Sequence, residues 1–150
     1  MIIDKFPAGV PFEVGRVIVR ALREEPEFLD ALLLDNPVRA SELNEGERIV
    51  FFEEQRDVLV GQPGQVQDRI YHFSVGVISR ATDSRRQAHG DYRLAKRVLR
   101  NRVMQMLSSE GLRLSGSGLL EGDVHYRLEN IDVGGSLVLG QFSVQYRDPS

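Results

Sequence analysis

A chain of 150 residues, 41% apolar and 27% charged, has the size and make-up of one ordinary globular domain. It contains no cysteine, which excludes disulfides, thiol nucleophiles and Cys-ligated zinc. Its net charge of −3 gives no general attraction to nucleic acid, and no apolar run exceeds those at 31–34 and 49–52, far short of the ~20 residues of a membrane span.

Charge is unevenly spread. Residues 1–60 carry 13 acids and 7 bases, a net of −6, whereas residues 61–110 carry 4 acids and 9 bases, a net of +5. Oppositely charged parts of one small domain can mate head-to-tail between copies, or simply form solvated faces. The opening MIIDKFPAGVPF has neither a basic leader nor a long apolar stretch, so no signal peptide is expected. One domain over 1–150 is expected, with a core at about 14–147 and flexible ends at 1–12 and 148–150.

The first element is a helix. Val14, Val17, Ile18, Ala21 and Leu22 recur at the spacing of one apolar helical stripe. Pro26 ends or kinks it, because proline lacks the amide donor and crowds the preceding turn. Phe28, Leu29, Leu32 and Leu33 then resume a helical pattern, which Asp35-Asn36-Pro37 stops. Residues 48–54 read as a strand, which 57–60 extend or follow, and Gly61-Gln62-Pro63-Gly64 is a turn. Tyr71, Phe73, Val75 and Val77 alternate with polar or small residues, the period of a half-buried strand.

A second helix is predicted from a cap at Asp83 or Ser84 to about Glu110, closed by Gly111. Its stripe is Tyr92, Ala95, Leu99, Val103 and Met106, widened by Val98 and Leu107; Gly90 leaves Asp91 as an alternative start. Residues 112–123, rich in glycine and serine, read as a loop. Strands at about 124–132 and 136–146 follow, joined at Gly134-Gly135, with Val138, Phe142, Val144 and Tyr146 on one face of the last. The expected fold class is α+β in the order α-β-β-α-β-β, antiparallel hairpins forming a sheet covered by two main helices.

Motifs for chemistry are missing. Neither lysine, Lys5 or Lys96, follows glycine, so there is no P-loop. Gly116-Ser117-Gly118-Leu119-Leu120-Glu121 ends on Glu, where dinucleotide-binding loops need a small residue, and it opens strands instead of a helix. There is no Gly-x-Ser-x-Gly elbow and no His-Glu-x-x-His. His72 and His125 fall on the polar rows of strands and can be neighbours, but two imidazoles alone make a poor metal site; His89 is the third histidine. Glu53, Glu54, Asp57, Asp68, Glu121 and Asp123 are carboxylates at strand ends or loops, open to acid–base chemistry or to plain solvation. On the second helix Arg86, Arg93, Arg97 and Arg100 recur at helical spacing. They can meet phosphates or an acidic subunit, or form the wet side of an amphipathic helix, and the aromatics of a single-strand platform are missing from that face.

The segment Arg69-Ile-Tyr-His-Phe-Ser-Val-Gly-Val-Ile-Ser-Arg80, leading into a helix near Ser84, and the closing stretch from Asp132 to Tyr146 resemble the tail terminator (tail completion) proteins of long-tailed bacteriophages. By element order the likeness covers about residues 14–147. It implies a virion protein without catalytic residues or cofactor, active in the host cytoplasm during assembly. Such a protein forms a homo-oligomeric ring, commonly of six copies, that ends the tail tube and offers a surface to the head–tail connector. On that basis the loops at 55–68 and 111–123 are interface candidates, Asp57, Gln62, Gln65 and Asp68 facing the tube. Arg86, Arg93, Arg97 and Arg100 would face a neighbouring copy or passing DNA. Two alternatives stay open: another phage part, such as a head–tail connector or tail-tube protein, and a small metal-dependent hydrolase or nuclease using the loop carboxylates.

Overall fold

A computed structural model describes residues 6–37, 47–62, 64, 66–112, 114–127 and 135–148. Helix α1 (Val10–Glu24) carries Pro11 in its first turn and buries Val14, Val17, Ile18, Ala21 and Leu22 along the expected stripe. Glu25 is extended, as a residue before proline should be, and a single 3₁₀ turn (Pro26–Phe28) follows.

The sheet has the order β1-β2-β3-β5-β4, from β1 (Leu32–Asp35), β2 (Arg48–Gly61), β3 (Gln67–Ser79), β4 (Leu114–Arg127) and β5 (Ser136–Asp148). Between β3 and β4, α2 (Ser84–Val98), a π-helical stretch (Leu99–Val103) and α3 (Met104–Ser109) run on without a break. Tyr71, Phe73, Val75 and Val77 of β3 and Val138, Phe142, Val144 and Tyr146 of β5 face these helices and α1, and together they make the main core. The opposite face holds a small apolar group, Ile49, Phe51, Ile78 and Leu137, and is otherwise largely polar.

The fold class expected from the sequence is therefore corrected. The chain is mostly β, built on a curled mixed sheet, and is not an α-β-β-α-β-β set of antiparallel hairpins. The first misreading is 28–33. Leu32, Leu33 and Leu34 pair in parallel with Ile49, Val50 and Phe51. Leu33 packs on the helix side and Leu32 and Leu34 on the other, so both faces of this edge strand meet apolar neighbours and its leucines run on without alternation. The second is 112–123, which is no loop. Most of it belongs to β4, whose pairing with β5 slips between Ser115 and Leu119 and again between Glu121 and Val124. Gly116 and Gly118, at φ 64° and 75°, supply the left-handed backbone of the first irregularity, so a glycine-rich strand looks like a loop. The third is 55–68: β2 continues to Gly61 past a register shift at Gln55. Of the final turn, Gly134 lies outside the described residues, as does the predicted strand beyond Arg127.

Helix α2 starts at Ser84, passes through Gly90, and is placed by two adjacent residues. Asp91, side chain 5% exposed, receives both Nε and Nη2 of Arg48 at 2.9 and 2.8 Å and the Gln87 amide at 3.0 Å. The same guanidinium reaches Asp30 and lies 5.3 Å from the centre of the Phe28 ring, so one arginine ties β2, the 3₁₀ turn and α2 together. Tyr92 packs onto Gly140 of β5, where a Cβ would run into its ring, and donates its hydroxyl to Glu121 of β4 at 2.8 Å.

Removing one partner of a buried, doubly bonded ion pair strands the other charge. Asp91→Ala is expected to cost about 3–5 kcal/mol, read from the urea unfolding midpoint, and Arg48→Met with Asp91→Leu should recover most of it. An Asp91→Ala protein as stable as the parent would contradict this role.

Candidate functional site

The Asp91–Tyr92 anchor leaves the next positions of α2 turned toward edge strand β4. Between them runs an open groove of about 880 Å³, lined by Arg86, Arg93, Lys96, Arg97 and Arg100 from the helix side and by Val124 and Tyr126 from β4. The structure thus brings all four arginines singled out by helical spacing to one groove. Arg86 leans 3.3 Å from Asp83, and Lys96 lies 3.4 Å from Glu121. Among the described residues, Arg93, Arg97 and Arg100 have no carboxylate within ion-pair distance, and no acid lines the groove. Its potential is therefore positive although the whole chain is acidic.

An aromatic platform, judged missing from the helix itself, comes from β4. Tyr126 pairs with Val138 in the sheet, so its ring is on the helix side. It stacks on His89 at 5.0 Å with planes 16° apart and is still 58% exposed. Tyr126 and His89 are groove residues that the arginine spacing on the helix did not reveal. Gly90 also lines the groove, and a Cβ there would meet nothing within 4 Å, so its missing side chain widens the opening.

The other interface candidates lie at the opposite end of the sheet, around the β2–β3 turn. Asp57 bonds Arg69 at 3.3 Å and accepts the Tyr146 hydroxyl; Asp68 holds Arg147 at 2.9 Å. Gln62 is exposed just beyond β2, and Gln65 lies outside the described residues. His72 and His125 are not neighbours. Strand β5 stands between them, where they pair with Ser143 and Leu139. Burial, then the nearby charge of Arg56, holds the His72 imidazole below the usual histidine pKa. Its surroundings, Gln55, Arg56, Asp123, Gln141 and Ser143, form a shallow polar hollow on the helix-free face.

Three of the carboxylates considered for acid–base chemistry are acceptors for buried tyrosines. Glu54 takes the Tyr71 hydroxyl at 2.7 Å, Asp57 that of Tyr146, and Glu121 that of Tyr92. Each tyrosine buries its ring in the core and places its oxygen at the rim, where a carboxylate meets it. Among the described residues no three His, Asp or Glu side chains converge as a metal site.

Compared with known proteins, the chain matches no family model, and no curated protein is similar enough to count as a relative.

Burial first, and then the adjacent carboxylate, raises the pKa of Tyr71, Tyr92 and Tyr146 above the usual value of 10.0. A raised folded-state pKa favours the protonated phenol. The stability this linkage contributes is therefore complete below pH ~10 and is lost as pH rises beyond it. In an alkaline titration the phenolate absorbance of these three residues should rise together with loss of the circular dichroism signal. Their ionisation in a still folded protein would contradict the arrangement.

Proposed function

We propose that the chain is a structural virion subunit of a long-tailed phage, a ring protein that ends the tail tube and offers a docking surface to the head. The observation that carries this reading is the open edge of β2. Strand β1 pairs only with Ile49–Phe52, and the Asn36 side chain then bonds the Glu54 amide. Beyond that point no described strand pairs with the outer edge of β2 up to Gly61, and Leu59 and Val60 on it are 48% and 55% exposed. An unpaired edge with exposed apolar side chains is an aggregation hazard in a monomer and a joining surface in an assembly. Strand β4 ends the sheet on the other side, so a neighbour can be joined at each end. Different surfaces meeting head-to-tail close into a ring when the rotation fits.

Two further features support the reading. The segments that carry the resemblance to tail terminators, 69–80 and 132–146, fall mainly, where described, on adjacent central strands, β3 and β5. Four of the six carboxylates considered for acid–base chemistry, Glu54, Asp57, Asp68 and Glu121, are engaged by tyrosines or arginines. The ring commonly has six copies in the family the chain resembles.

Native mass spectrometry of the full chain is expected to give a discrete closed oligomer, six copies being the first expectation. Leu59→Lys with Val60→Lys should weaken assembly by about tenfold or more while leaving the thermal midpoint of the subunit nearly unchanged, since both side chains are exposed. A strict monomer at every concentration would contradict the proposal.

A further inference from the structure

The groove between α2 and β4 opens on the helix side of the sheet, whereas strand pairing at the β4 edge would use main-chain groups in the plane of the sheet. We propose that it binds single-stranded nucleic acid, with an unpaired base stacked on Tyr126 and the phosphates held by Arg93, Arg97 and Arg100. This goes beyond ring assembly and does not depend on it.

The positive side of the argument is the concentration of cations. Five of them line the groove, and the acids beside it are already engaged, Glu121 by Tyr92 and Lys96 and Asp83 by Arg86. Arg93, Arg97 and Arg100 stand four and three residues apart on one helix, so they climb its axis in steps of about 6 and 4.5 Å. A flexible phosphodiester can follow such a ladder. The groove is open to solvent, which suits a polymer crossing it more than an enclosed small molecule.

Tyr126 decides the class of polyanion. An acidic protein surface would use the arginines but has no need of a flat ring. A duplex hides the faces of its bases in its own stack. An unpaired base needs a planar partner, and Tyr126 is exposed while one face of its ring stacks on His89. Ring stacking is insensitive to base identity, so binding should show little sequence preference.

The test is fluorescence anisotropy with a short labelled oligodeoxythymidylate, the full chain and a salt series. Binding should weaken with salt at a log–log slope of about −2, for three phosphates at roughly −0.7 each. Tyr126→Ala should reduce affinity by about tenfold or more with the salt slope kept, and Tyr126→Phe should retain it. Arg97→Glu should reduce affinity and flatten the slope. Gly90→Leu, at a position open to a side chain, should block the groove without changing charge. Tyr126 and Arg97 are exposed, so each variant should keep the parent's circular dichroism spectrum, which is recorded as the folding control. Failure to bind the oligonucleotide would overturn the proposal. So would equal binding of polyglutamate or inorganic polyphosphate, tighter binding of a duplex, or indifference to Tyr126→Ala.

Discussion

The rotation of one helix sets what this protein displays, and two neighbouring side chains set that rotation. Consecutive helical residues point about 100° apart. Asp91 is gripped from the β2 side by Arg48, and Tyr92 lies on Gly140 and reaches Glu121 on the β4 side. With both directions fixed, α2 cannot roll. The arginines that follow are left facing β4 and solvent. The ion pair is the costly half of this anchor, since both charges lose water on burial and their mutual bonds, with those to Gln87 and Asp30, must compensate. It is also the directional half, because two parallel bonds to one carboxylate fix an angle as well as a distance.

The sheet divides the molecule into two ends with different chemistry. At the β2–β3 turn, buried tyrosines and arginines take up the acids, leaving an open strand edge with exposed Leu59 and Val60. At the α2–β4 end, cations outnumber acids and an aromatic ring stands exposed among them. One end favours contact through main chain and apolar side chains, the other contact with a polyanion. Their separation along the strands keeps the open edge of β2 clear of the groove.

Local pattern recorded the parts of this fold that depend on one element at a time. The stripe of α1, the alternation of β3 and the core row of β5 were legible because burial repeats at 3.6 or 2 residues. The four arginines were legible for the same reason. What pairs at a distance was not. Leu32–Asp35 looks helical until its parallel partner is known, and β4 looks like a loop because glycine-rich irregularities interrupt its alternation. Those two errors produced the wrong fold class. Tyr126 was hidden by the same cause: two slips of register intervene in β4 before it reaches the helix side opposite Val138. Its partner His89 is on another element, so no spacing in the sequence links them.

The convergence of α2 and β4 on one ligand is tested most directly by ultraviolet crosslinking. A bromodeoxyuridine-substituted oligonucleotide is bound to the full chain, irradiated, and the crosslinked peptides are mapped by mass spectrometry. The account expects the crosslink at Tyr126, with His89 the next site. Crosslinks confined to the β2–β3 hairpin, or to none of the groove residues, would contradict it.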